Sequence, residues 1–146
     1  MKLHLGDIVA YQAVDHLVEG IVDYSLGDRV FRLVAMVADG RTYFLEPVVL
    51  ADRVLLFSEI PLIDINSPPP ATICHHGESY LLKMSGEVTV SIAGHVAGRI
   101  PGTCRFWRFR AAGGQFLQIE EWPDGIRMLA GTAIHKGMLE IRPARL

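Results

Sequence analysis

The chain has 146 residues, of which half are apolar, with 14 basic and 16 acidic side chains. That length suits one ordinary domain or two very small ones, and the apolar fraction excludes a disordered chain. The near-neutral balance gives no field for nucleic acid or an anionic membrane.

The opening Met1-Lys2-Leu3-His4-Leu5-Gly6-Asp7 lacks the apolar core of an export signal. No apolar run approaches the ~20 residues needed to span a bilayer. The runs Val48 to Ala51 and Val54 to Phe57 are interrupted by Asp52 and Arg53. Cys74 and Cys104 are the only cysteines, too few for a disulfide scaffold. The expectation is a soluble cytoplasmic protein with two reduced thiols and no disulfide.

In chain order the pattern is that of strands. The segment Val9 to Leu17 fits a short helix or a strand equally well. Val30 to Ala38 is an apolar-rich run ending at an Asp39-Gly40 turn, with Tyr43-Phe44-Leu45 beyond it. Val88, Val90 and Ile92 alternate with Glu87, Thr89 and Ser91, the period of a half-buried strand. Trp107 and Phe109 share one face, and Arg108 and Arg110 the other. Leu139 and Ile141 alternate in the same way. Turns are expected at Leu26-Gly27-Asp28, Asp39-Gly40, Ser85-Gly86, Pro101-Gly102, Gly113-Gly114, Pro123-Asp124-Gly125 and Lys136-Gly137. Between them, Asn66-Ser67-Pro68-Pro69-Pro70 has no apolar period and reads as a stiff, extended connector.

The two sides of that connector resemble each other. Aligning Phe44 with Phe116 also aligns Val54 with Ile126, without a gap. An internal repeat constrains architecture more than any single motif. The reading is an all-β protein of two similar antiparallel units: residues 5–65, a Pro-rich connector at 66–72, and residues 73–143. Units of this size bury too little surface to stand alone. They are therefore expected to pack with approximate two-fold symmetry, as small barrels or as a sandwich. Trp107, Phe109, Leu117, Ile119, Val88, Val90 and Ile92 are the expected core, with Arg108, Arg110 and Glu120 exposed.

These elements resemble a bacterial family of unassigned function, the domain-of-unknown-function family DUF4178. The resemblance rests on Leu5-Gly6-Asp7-Ile8-Val9, on Val18-Glu19-Gly20-Ile21-Val22-Asp23-Tyr24, and on Phe31-Arg32-Leu33 with Tyr43-Phe44-Leu45. Phe106-Trp107-Arg108-Phe109 and Phe116-Leu117-Gln118-Ile119-Glu120 carry it in the second half. Arg32 stands where the pattern has tryptophan, and Asp23 where it has a basic residue. The resemblance implies a tandem pair of such units and brings no catalytic residues. It also implies company with bacterial envelope-stress proteins, an association and not a mechanism.

Three clusters invite chemistry. Cys74-His75-His76 has zinc-ligand types, but no second pair completes a site, and Cys104, His95 and His135 would join only through the fold. Arg105 to Arg110 interleaves arginine with aromatics, as single-strand binders do. The acidic Glu120-Glu121 beside it favours a structural strand instead. Adjacent residues face opposite ways on a strand, so Glu120 and Glu121 make a poor acid–base pair. No Gly-x-Ser-x-Gly, phosphate loop or His-Glu-x-x-His is present. The expectation is thus no catalytic, cofactor or metal residue and no nucleic-acid partner. The function expected is a non-catalytic module acting through contacts with an unidentified protein partner and as a homo-oligomer. The alternative is a small-ligand-binding domain, or an enzyme, with its pocket between the repeats.

Overall fold

The computed structural model describes residues 1–62 and 65–144, with the side chains of residues 48–50 outside the described set. Residues 63–64 of the first expected unit lie outside the described residues as well. The fold is all-β. Its strands are β1 (Ile8–Tyr11), β2 (Val14–Leu26), β3 (Arg29–Ala38), β4 (Arg41–Leu50), β5 (Arg53–Ile60), β6 (Thr72–His75), β7 (Glu78–Gly94), β8 (Gly102–Ala111), β9 (Gln115–Trp122), β10 (Gly125–His135) and β11 (Leu139–Arg142). The ambiguous segment Val9 to Leu17 is the β1–β2 hairpin.

All pairings are antiparallel. The sheet order is β11-β1-β2-β3-β4-β5-β10-β9-β8-β7-β6, and a further β2–β7 ladder closes the ring. Eight strands, β2 to β5 and β7 to β10, therefore form one closed barrel. Closure leaves those strands without free edges. Instead of two packed bodies, the segments before and after the connector each give four strands to one ring. They join through the β5–β10 and β2–β7 ladders.

Both β2 and β7 are longer than the barrel needs. The first half of β2 pairs with β1, and β11 lies beyond β1. The first part of β7 pairs with β6. These extensions fold over the outside of the barrel as flaps, which makes three cores. The lumen holds Val22, Tyr24, Leu33, Ala35, Phe44, Phe57, Val88, Val90, Cys104, Phe106, Trp122 and Leu129. Beneath the β11–β1–β2 flap lie Leu3, Val9, Val18, Val34, Met36, Leu45, Val54 and Ile134. Beneath the β6–β7 flap lie Ile73, Tyr80, Trp107, Phe109, Leu117, Ile119 and Met128.

This arrangement corrects the expected exposure. Both faces of β8 and β9 are covered, so alternation does not separate inside from outside. Trp107, Phe109, Leu117 and Ile119 are buried on the outer face, while Val88 and Val90 are buried in the lumen. Arg108 and Glu120, expected in solvent, are buried in the lumen at 7% and 0% exposure. Arg110 is exposed as expected, and Ile92 is half-buried.

Most expected turns are present. Ser85-Gly86 is not a turn: β7 runs straight through it. A Cβ at Gly86 would lie 2.6 Å from Leu26 Cδ1, so a larger residue there would make the Leu26 side chain shift. The connector is bent at Ser67–Pro68, a cis bond, and Pro69 is buried. Two hairpin turns fall at Gln12-Ala13 and Ala51-Asp52, where no glycine marks them. All four residues have positive φ, as a two-residue hairpin requires.

The β1–β2 and β6–β7 hairpins match in detail. Each has a two-residue turn, at 12–13 and 76–77, followed by a ladder irregularity, at Val18/Gly20 and Leu82/Met84. The same step along the chain relates both features. Phe44 and Phe116 stand differently: Phe44 opposes Ala35 and Phe57, three pairs from its hairpin end at Arg41, whereas Phe116 opposes Arg110 and Gly131, one pair from Gln115.

Candidate functional site

The lumen carries a polar network strung across the strands. Strand β9 turns Gln118 and Glu120 inward, and β8 turns Arg108 inward. The guanidinium Nη1 of Arg108 donates to both carboxylate oxygens of Glu46, at 2.8 and 3.0 Å. Its Nε and Nη2 donate to Gln118 Oε1 at 3.1 and 2.5 Å. Glu120 accepts from Gln118 Nε2 at 2.8 Å, Trp122 Nε1 at 2.9 Å, Tyr24 Oη at 3.0 Å and Arg99 Nε at 3.1 Å. Arg108 thus finds its carboxylate on β4, across the lumen; Gln118 is its neighbour across the ladder.

Arg99 does not belong to a strand. It comes from the loop between β7 and β8, which plugs one end of the barrel. Val96 of this loop joins the lumen core. Backbone approach is tight: a Cβ on Gly20 would lie 2.3 Å from the His95 carbonyl oxygen, and one on Gly94 2.3 Å from that of Glu19. The Arg99 guanidinium lies 4.5 Å from the centre of the Phe44 ring. Burial opposes its charge, but Glu120 and Tyr24 beside it outweigh burial and hold it protonated. Burial, then the Glu120 charge, push the Tyr24 phenol well above its ordinary range. The same two causes push the Cys104 thiol up to about 12. At neutral pH Arg99 is therefore charged, and Tyr24 and Cys104 are un-ionised. Each of the two arginines faces a carboxylate, and four donors fill the lone pairs of Glu120, which leaves none for an acid–base role; Nη1 and Nη2 of Arg99 are buried without a hydrogen-bond partner among the described residues.

The clusters singled out from sequence are not assembled by the fold. Cys74 is exposed on the edge strand β6, and His76 is in the turn after it. The His75 and His76 rings meet at 4.1 Å, and burial followed by His76 lowers the His75 pKa. Cys104 faces the lumen, and His135 at the end of β10 accepts from Gly137 N at 3.0 Å. Among the described residues no three His, Cys, Asp or Glu side chains converge on a common point. Arg105 pairs with Glu121 at 3.3 Å and lies over Trp107, so the arginines of β8 do not form one face. Asp7, just before β1, is buried. Its carboxylate accepts from His4 N and Ala144 N, both at 2.8 Å, and these donors lower its pKa in that order.

Depressions among the described residues include two of several hundred Å3. One, of about 560 Å3, lies at the plugged end and is lined by Ile92, Val96, Ile100, Pro101 and Trp122 among others. Ile100 there is 68% exposed. The other, of about 400 Å3, opens where the β1–β2 turn overhangs the β3–β4 turn. Tyr11, His16, Arg41 and Tyr43 line it. No local pattern announces this cleft, since its walls come from five strands. The only sequence trace of it is a lone histidine on the buried face of β2.

Residues 4–136 match the model of a family described as a domain of unknown function, DUF4178. The chain belongs to that family. The match runs through the connector and takes in strands β1 to β10. No curated protein and no solved structure matches the chain. Among the described residues no helix is long and apolar enough to cross a membrane.

Proposed function

We propose that this DUF4178 protein is a non-catalytic binding module: a rigid, self-filled barrel whose outer surface meets a protein partner, in the first place a second copy of itself. The observation that carries the reading is the closed charge balance of the lumen. Arg108 pairs with Glu46 and Arg99 with Glu120 through Nε, which leaves Nη1 and Nη2 of Arg99 without a hydrogen-bond partner; apart from Gln118, the rest of the lumen is aromatic and aliphatic. Such an interior supports a surface and offers little to a substrate. The surface in turn retains large apolar side chains, with Leu5 and Ile100 prominent at the plugged end. Leu5 packs on Gly94, which lines the same depression as Ile100. Exposed apolar patches of this kind serve as contact surfaces.

We also propose that the two halves are copies of one ancestral unit. The matching hairpins β1–β2 and β6–β7 support it, as does the contribution of four strands from each side of the connector. By the register of their hairpins, Phe44 then corresponds to Gln118, not to Phe116.

Light scattering on the full chain tests the binding reading. The expected mass is near twice the 16.2 kDa of one chain, falling to a single chain for Ile100→Glu. A wild-type monomer at every concentration, with the same stability and solubility as Ile100→Glu, refutes it.

A further inference from the structure

We propose that the cleft lined by Tyr11, His16, Arg41 and Tyr43 is a binding site for a small ligand bearing an anionic group and a hydrogen-bond donor. The central observation is His16. Its side chain is among the few buried polar ones outside the lumen, at 5% exposure. Nδ1 lies 3.0 Å from the carbonyl oxygen of Val9, its ladder partner. A carbonyl only accepts, so Nδ1 carries the hydrogen, and the backbone fixes both tautomer and ring orientation. The edge-to-face contact with Tyr43, at 5.2 Å and 88°, holds the ring from the other side. In the neutral ring Nε2 is then a bare acceptor. It has no protein partner among the described residues, and His16 lines the cleft. Nε2 is not sealed off from the cleft, so an entering ligand N–H or O–H can donate to it.

The rim supplies the second half of the recognition. Arg41 is exposed and takes part in no ion pair among the described residues; Asp39, in the same turn, does not reach it. A free guanidinium beside a cleft is suited to a carboxylate or a phosphate. Tyr11 and Tyr43 are half-buried, so each presents an aromatic wall and a hydroxyl. The volume of about 400 Å3 is within the range of small-molecule sites. The walls are strands and tight hairpin turns, which hold the groups in place before a ligand arrives. The cleft shares no lining residue with the depression at the plugged end.

The test is a titration of isotopically labelled full-length protein followed by NMR. The probes are N-acetylglycine, which joins a carboxylate to an N–H, its uncharged amide N-acetylglycinamide, and glycerol 1-phosphate. The proposal expects saturable shifts at Gln12, His16, Arg41 and Tyr43 with N-acetylglycine or glycerol 1-phosphate. The better of the two identifies the anionic group as carboxylate or phosphate. N-acetylglycinamide should bind roughly tenfold more weakly or worse, because it lacks the charge that Arg41 meets. Arg41→Ala should lose about as much while melting as the wild type does. His16→Phe should abolish the shift of the ligand's own N–H or O–H; if that variant fails to fold, Arg41→Ala remains decisive. The proposal is overturned if no anionic probe gives saturable shifts at the cleft, or if Arg41→Ala binds as the wild type does.

Discussion

Replacing Arg108 by methionine tests the lumen network directly. The change keeps an unbranched apolar stem and removes the guanidinium. Glu46, only 7% exposed, then loses both of its short contacts to Nη1, and Gln118 Oε1 loses two donors. Removing one partner of a buried ion pair costs about 3–5 kcal/mol, because the other charge stays buried without compensation. For a chain of this size that corresponds to a fall in melting temperature of roughly 6–20 °C. Removing both charges should cost far less, since an apolar pair in such a place is often neutral or stabilising. The assay is a double-mutant cycle by urea unfolding of the wild type, Arg108→Met, Glu46→Leu and the double variant. The expected coupling energy is at least about 2 kcal/mol, above the ~0.5 kcal/mol scatter of independent sites. If Arg108→Met lies within 1 kcal/mol of the wild type, Arg108 reaches solvent and the description of the lumen as electrically closed is wrong.

Two further outcomes follow from the same geometry. Cys74 is exposed, whereas Cys104 is buried with its thiol pushed up to about 12. An aromatic disulfide reagent at neutral pH should therefore label one thiol quickly and the second only on unfolding. Loss of the fast phase in Cys74→Ser confirms the assignment, and fast labelling of both thiols contradicts it. The pKa of Asp7 is lowered in the folded state, so its contribution to stability is present above the unfolded carboxylate value and is lost as pH falls through the folded one. The stability gap between wild type and Asp7→Asn should thus be full at neutral pH and shrink below about pH 4. A gap independent of pH would show that the two backbone donors do not favour the carboxylate.

The all-β class was legible because strands and turns are local. Val88, Val90 and Ile92 alternate within one strand, and Asp39-Gly40 sits between two others. Closure was not legible, because the β2–β7 and β5–β10 ladders join segments far apart in the chain. The misplaced residues follow from that one gap. An inward arginine on a strand of an open sheet would reach solvent; in a closed barrel it needs a carboxylate, and Glu46 is found across the lumen. The turns at Gln12-Ala13 and Ala51-Asp52 were hidden for another reason. Positive φ usually calls for glycine or asparagine, and of these four residues only Asp52 hints at it. The His16 cleft exists only because a hairpin overhangs the barrel wall, so no spacing within β2 could reveal it.

The buried charges also answer a problem that hydrophobicity leaves open in this fold. In a half-exposed sheet, a one-residue slip of a strand turns its apolar set into water, and that cost fixes the register. Here both faces of β9 are buried. Leu117 and Ile119 pack under the β6–β7 flap, and Gln118 and Glu120 point into the lumen. A slip would exchange the two sets between two apolar surroundings and keep most of the apolar burial. It would not keep the pairing. Arg99 and Arg108 would face Leu117 and Ile119, and Glu120 would lie under the flap without its four donors. Arg108 would keep Glu46 but lose Gln118, while Arg99 in the lumen and Glu120 outside it would be left uncompensated, at several kcal/mol each after relaxation. The network that has no evident use in chemistry therefore has one in specification: it selects a single alignment of β8, β9 and β4 where the apolar pattern permits more than one.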